Sequence, residues 1–218
     1  MVAWLDAVWG SEITFLNEYH PAPQDTMHRP LEYFDPDIPG YPRIPCYLIF
    51  DEEGRKLGPI AKPMTTTSDL FYDWSQDNSA EVENGWIVKG RTLAELAEKL
   101  GIDPGNLEAT IERWNALVDK GEDIDFRRPP GTMFPINHPP FYGIEAWPIC
   151  TNTQGGPKHN AWQQVVDPWD RPIPRLYAVG ELGSFFGHLY LLGGNLAECI
   201  VGGRIAGRKA AEETCVNN

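Results

Sequence analysis

No stretch of the 218 residues is long and apolar enough to span a bilayer, which takes about 20 consecutive apolar residues. The start, Met-Val-Ala-Trp-Leu-Asp, has no basic stretch leading into an apolar one, so it does not read as a secretory leader. A cytoplasmic location without membrane attachment is expected. Positive charge is scarce: 18 Lys and Arg stand against 31 Asp and Glu, a net charge of -13, which argues against nucleic-acid phosphate as a partner. The four cysteines (Cys46, Cys150, Cys199, Cys215) have no C-x-x-C spacing, and the five histidines form no H-E-x-x-H. Neither a metal site nor a disulfide framework is expected, and the thiols read as buried and free.

What is present is an ordinary globular complement, 42% apolar with eight Trp, punctuated by 20 Pro and 21 Gly. Prolines concentrate between residues 20 and 45 and again from Pro129 to Pro140; with φ fixed and amide donors removed, both stretches read as ordered, irregular loops. Between them, Cys46–Asp51 reads as a strand closed by an acidic turn, and Trp86–Lys89 as a shorter strand. Thr92-Leu-Ala-Glu95 is a capping box opening a helix that Gly101 stops, and Asp103-Pro104 opens a second helix ended by Gly121. The stripes Leu93, Leu96, Ala97, Leu100 and Leu107, Ile111, Trp114, Leu117 predict a helical hairpin. Beyond the second proline loop, 141–147, 163–167 and 176–180 read as strands. A long helix is expected from about Asn195 to Glu213, with Gly202, Gly203, Ala206 and Gly207 allowing close approach to a sheet. The boundary between the two textures is placed at residue 138.

Chemistry concentrates in the second part. A strand ending in Val-Gly180-Glu181 sets a carboxylate at the carboxyl edge of a sheet, where α/β proteins bind ligands. The glycines from Gly183 to Gly194 let backbone approach a flat ligand, and a helix starting at Asn195 offers free amides and a positive dipole end. These residues alone point to an anion or polar-cofactor site; the alternative is an ordinary strand-to-helix connection whose glycines serve tight turns.

The order of motifs goes further. Thr153-Gln-Gly-Gly156, then Arg171-Pro-Ile-Pro-Arg-Leu-Tyr-Ala-Val-Gly-Glu181, then Leu192-Gly-Gly-Asn-Leu-Ala-Glu198 resembles the C-terminal end of FAD-dependent oxidoreductases of the fumarate reductase and 3-ketosteroid dehydrogenase kind. Phe15-Leu-Asn-Glu18, Tyr47–Asp51, Thr92–Ala97 and Trp114-Asn115 follow that family's order upstream. The resemblance implies an α+β chain in two parts. Residues 1–138 would be a cap (substrate) domain with a helical hairpin and short strands. Residues 139–218 would be the C-terminal strands and long helix of an FAD-binding α/β domain lacking its nucleotide-binding βαβ unit. It implies cofactor contacts from Thr153, Gly155, Gly156, Gly180, Glu181, Gly193, Asn195, Leu196 and Ala197, with Glu181 on the ribityl chain and the start of the helix at the pyrimidine end of the flavin. It also implies a small-molecule carbonyl substrate bound by the Tyr190 hydroxyl and the Gly194 amide, with His188 a candidate proton donor.

Two departures narrow the reading. Asn152 and Leu191 stand where the family's dicarboxylate reductases carry a His and a carboxylate-clamping Arg, so a fumarate-like dianion would find no charge partner, and the loop looks more like that of the ketosteroid enzymes. The G-x-G-x-x-G fingerprint that grips the FAD pyrophosphate is not in the sequence. FAD, held non-covalently, is therefore expected to bind weakly or not at all to this chain alone. The expected partner is an N-terminal FAD-binding half, in the same parent chain or a separate subunit. The competing reading is a non-catalytic assembly module that kept the fold.

Overall fold

The computed structural model describes residues 3–6, 29–60, 72–148, 153–185 and 193–213. Two compact units divide at Pro148/Ile149.

The first unit is built on an antiparallel sheet of β1 (Ala3–Asp6), β2 (Cys46–Asp51), β3 (Val88–Gly90) and β4 (Phe141–Ala146), in the order β1-β2-β4-β3. β2 is buried along its whole length, as its unbroken apolar run requires. The strand expected at 141–147 pairs with β2 from Cys46↔Ala146 to Asp51↔Phe141, and with β3. It therefore belongs to the first unit, and the division lies after it, not at 138. The stretch after Asp51 is helical, not a plain turn: α1 (Glu52–Lys56) is capped by the Asp51 carboxylate, which accepts from the Gly54 amide at 2.9 Å. A short α2 (Ser79–Glu83) precedes β3, which starts two residues later than the sequence reading placed it.

The helical hairpin forms as its caps dictate. α3 (Leu93–Leu100) has Thr92 accepting from the Glu95 amide and ends on left-handed Gly101; α4 (Pro104–Lys120) has Asp103 as cap and ends on left-handed Gly121. Leu96, Ala97, Leu107, Ile111 and Trp114 pack with Tyr47 and Ile49 of the sheet and with Ile136 into one core. The Trp114 indole donates to the Phe134 carbonyl, and Asn115 exchanges two hydrogen bonds with the Ile136 backbone, so α4 also pins the second proline-rich loop.

The second unit is smaller. β5 (Gln164–Val166) and β6 (Pro172–Tyr177) make an antiparallel pair, and α5 runs from Gly194 to Glu212. β6 ends at Tyr177, so Ala178–Gly180 lie beyond the strand, and Glu181 is reached through left-handed Gly180 instead of standing at a strand end. The sheet edge invoked for a ligand is thus a loop in the described residues. Gly194, Glu198, Gly202 and Ala206 form the buried stripe of α5. Among the described residues only part of the small-residue set serves close packing: a Cβ on Gly202 would come within 2.9 Å of Gln163 Oε1, whereas a Cβ on Gly203 or Gly207 would meet nothing within 4 Å. Among the described residues no helix is long and apolar enough to cross a membrane. Cys46 is buried as expected; Cys199, on α5, is exposed, and Cys150 and Cys215 lie outside the described residues.

Two predictions follow from the first unit. A Cβ on Gly90 would lie 2.6 Å from the Leu96 backbone nitrogen, so Gly90→Ala should cost about 1–3 kcal/mol in denaturant unfolding. No loss would contradict the close β3–α3 contact. Glu52 accepts from Arg55 and from the Tyr142 hydroxyl at 2.6 Å. The Arg55 hydrogen bonds, with help from Tyr142, hold its carboxyl at about 2, while burial first and the Glu52 bond second push Tyr142 up to about 12. Because the Glu52 pKa is depressed on folding, its contribution is present above its ordinary 4.5 and is lost as pH falls through about 2. Glu52→Gln should thus lose stability on the order of 2 kcal/mol near neutrality, after allowance for solvent screening, and close the gap to wild type at the acid end. A gap that does not change with pH would refute the ion-pair account.

Candidate functional site

The Glu181 carboxylate gathers three parts of the second unit. Its Oε2 accepts from the Thr153 amide at 3.0 Å and the Thr153 hydroxyl at 3.1 Å; its Oε1 accepts from the Asn195 side-chain amide. Gln154 donates to Asn195 Oδ1 at 2.9 Å. The backbone repeats the linkage: Gly155 N–H donates to the Glu181 carbonyl, and Gly183 N–H to the Gly155 carbonyl. The T-x-G-G turn, the Glu181 loop and the first turn of α5 thereby form one cradle.

The glycines in it divide by what surrounds them. Gly155 (φ +140) and Gly193 (φ +79) hold backbone that side-chain-bearing residues rarely adopt, and among the described residues a Cβ on either would meet nothing within 4 Å. Gly156 and Gly180 serve internal packing instead: a Cβ would come within 3.0 Å of the Gly183 nitrogen in the first case and within 2.8 Å of Cys199 Sγ in the second. α5 begins at Gly194, one residue earlier than read, after Gly193 and without a side-chain cap. The Ala197 amide is already spent on the Gly193 carbonyl, so the amides that precede the helix's own ladder are those before Ala197. Leu196 is 70% exposed.

The buried Glu198, one turn further on, accepts from the Ser184 hydroxyl at 2.9 Å through Oε1, while its buried Oε2 has no hydrogen-bond partner among the described residues. A buried acceptor without a donor costs about 1–3 kcal/mol and marks a position that a ligand or a further chain segment can complete. Gly194 is buried at the start of α5. Tyr190 and His188, the expected substrate-facing pair, lie outside the described residues, as do Asn152, Leu191 and the Phe15–Glu18 motif.

Residues 33–196 match the model of a family described as "FAD binding domain". The chain belongs to this family. It is 34% identical over 166 residues to a urocanate reductase of Eggerthella lenta, covering 76% of this chain and 26% of that protein. It is 39% identical over 183 residues to a digoxin reductase of the same organism, covering 82% of this chain and 29% of that protein. The fold is shared with a 3-ketosteroid delta1-dehydrogenase from Sterolibacterium denitrificans, with a TM-score of 0.70 at 24% identity, covering 97% of this chain and 39% of that one. The chain thus spans between a quarter and a third of the length of the curated relatives it matches here. The resemblance read from the motif order is borne out, and the family's cofactor is FAD.

The cradle suits the flavin end of that cofactor. An uncapped helix start supplies positive potential for a ring that gains negative charge on reduction, and two open glycines allow flat contact. The fold joins Thr153, Glu181 and Asn195, three of the residues that the motif order singles out, by hydrogen bonds. The hydrogen bonds of Gln154, Ser184 and Glu198 beside them carry no sequence signal, because their partners are set by tertiary contact. The Glu181–Asn195 bond makes a specific prediction. Asn195→Asp places a second carboxylate against Glu181, so the melting temperature should drop at about pH 7 and recover toward about pH 4, where one group takes a proton. Equal losses at both pH values would argue against that contact.

Proposed function

We propose that this chain is the C-terminal portion of a flavin-dependent oxidoreductase that moves hydride between FAD and a carbon–carbon bond next to a carbonyl. The substrate class is ketosteroid-like in place of a fumarate-like dianion. The observation that carries the reading is the Glu181 carboxylate tying the Thr153–Gly156 turn to the uncapped start of α5.

In this reading Glu181, oriented by Thr153 and Asn195, keeps acceptor capacity for a ribityl hydroxyl, since a carboxylate has about four lone-pair sites. Gly155 and Gly193 admit the ring edge, and the first amides of α5 face its electron-rich end. FAD supplies the hydride chemistry when bound. The Tyr190 hydroxyl and Gly194 amide would polarise the substrate carbonyl as two donors on one oxygen, and His188 would donate the proton. Leu191 and Asn152, neither of them cationic, favour an uncharged ketone over a dicarboxylate.

The adenosine and pyrophosphate need a separate grip, because no G-x-G-x-x-G occurs in the sequence. A nucleotide-binding half, in the same parent chain or another subunit, would supply it. The outward face of α5 supports such a partner: Leu196 and Ile200 are each 70% exposed and Val201 57%.

The test is spectroscopic and kinetic. Purified alone, the chain should show no stoichiometric flavin absorbance; joined with a nucleotide-binding half it should turn yellow and reduce an enone. A yellow chain on its own would overturn the division of labour. In the joined enzyme Tyr190→Phe should slow enone turnover by about 100-fold or more. An unchanged rate would remove Tyr190 from the chemistry, and preferred turnover of fumarate would defeat the substrate class. A joined protein that binds flavin and turns over neither would favour an assembly module.

A further inference from the structure

Three aromatic rings of the first unit take no part in the motif order described above. Tyr72 and Trp74 precede α2 and Trp86 follows it, and the three meet on one patch. The Tyr72 and Trp86 ring centroids are 4.5 Å apart, Tyr72 and Trp74 stand at 88° with centroids 6.1 Å apart, and Trp74 and Trp86 are 6.2 Å apart. Each residue is fixed by a polar partner. The Trp74 indole donates to Asn78 Oδ1 at 2.6 Å, and the fully buried Asn78 also accepts from the Ile60 amide and donates to the Arg55 and Gly58 carbonyls. The Tyr72 hydroxyl accepts from the Asn84 side-chain amide at 3.3 Å, and the Trp86 backbone amide donates to the Glu81 carbonyl at 3.0 Å. Trp74 packs on the Phe50, Ile87 and Tyr142 core, whereas Tyr72 is 42% and Trp86 48% exposed. The rings are thus held in place by the chain while two of them keep surface open to solvent.

The surroundings are acidic. Glu81 is fully buried and accepts from both the amide and the hydroxyl of Ser75. Burial would raise its pKa, but the Ser75 bonds outweigh burial and hold the carboxyl below its ordinary range, so it is charged near neutrality. A hydrogen bond to Glu81 first, then desolvation and the charges of Glu81 and Asp73, push the Tyr72 hydroxyl above its ordinary range. Negative charge therefore lies beside rings whose faces are themselves the negative side of an aromatic quadrupole. Elsewhere the chain sets its own cations over its rings: Arg43 over Tyr33, Arg55 and Lys89 over Tyr142, Arg128 over Trp114, Arg171 over Trp169 and Lys209 over Trp162. Among the described residues no Lys or Arg stands over Tyr72, Trp74 or Trp86. An uncharged apolar ligand would use the ring faces without the carboxylates, and a strongly hydrated metal ion the carboxylates without the faces. An alkylated ammonium uses both. We propose that the Tyr72–Trp74–Trp86 patch binds the quaternary or tertiary ammonium group of a small molecule, the rings contacting its methyl groups while Glu81 and Asp73 supply the counter-charge. The site lies within the first unit and is independent of the flavin reading.

The test uses the isotope-labelled 218-residue chain and two probes of one shape, choline and its uncharged isostere 3,3-dimethyl-1-butanol. Choline should shift the indole N–H resonances of Trp74 and Trp86 saturably, and the isostere should bind about tenfold more weakly or worse. Trp86→Leu, at a half-exposed position, should weaken choline binding by about tenfold, and Asp73→Asn should weaken it by about twofold at low salt. Equal affinity for the two probes would reduce the patch to an apolar surface and overturn the proposal. So would choline shifts confined to other residues, an unchanged affinity in Trp86→Leu, or no saturable shift at choline concentrations on the order of 100 mM. If Trp86→Leu does not fold, the comparison of the two probes on the wild-type chain decides alone.

Discussion

The Glu181 carboxylate is the contact on which the arrangement of the second unit depends. One acidic side chain takes hydrogen bonds from Thr153 on one side and Asn195 on the other, joining segments 28 and 14 residues away in sequence. The β5–β6 pair is too small to hold the T-x-G-G turn and the start of α5 by itself, since a two-stranded hairpin is marginal without further packing. A carboxylate with donors on both oxygens does that work, and the paired backbone bonds of Gly155, Glu181 and Gly183 extend it. What results is an acceptor of defined position beside an uncapped helix end, an arrangement that suits a flavin ribityl chain and ring.

The first unit achieves its order differently. Its sheet is buried against a capped helical hairpin, and its polar side chains mostly serve the chain itself: Asp51 caps α1, Asn115 and Trp114 fasten the proline-rich loop, and Glu52 joins Arg55 to Tyr142. In the second unit the buried Glu198 Oε2 has no donor among the described residues, and Leu196 and Ile200 of α5 are exposed.

Much of this was legible in the sequence, for identifiable reasons. The capping box at Thr92, the Asp103-Pro104 start and the stopping glycines encode their helices locally, so α3 and α4 came out where expected. Thr153, Glu181 and Asn195 could be singled out because the motif order carries them, and the fold joins them by hydrogen bonds. The assignment of 141–147 to the second part failed because a strand's partners are set by tertiary pairing, and nothing local says that β4 runs beside β2. The strand at 176–180 was displaced because its apolar residues continue past the last ladder bond into a loop fixed by Gly180. Gly203 and Gly207 were misread for a related reason: spacing places small residues on a helix side but does not say which side meets a neighbour.

The central claim is that the segments joined by Glu181 receive the ring end of a flavin. Riboflavin, which has the ring and ribityl chain without phosphate or adenosine, probes it most directly. Titrated into the isotope-labelled chain up to its solubility limit, it should shift amide resonances clustered at 153–156, 181–184 and 193–197. Shifts confined to residues 33–148, or none at concentrations where free flavin stays soluble, would contradict the account.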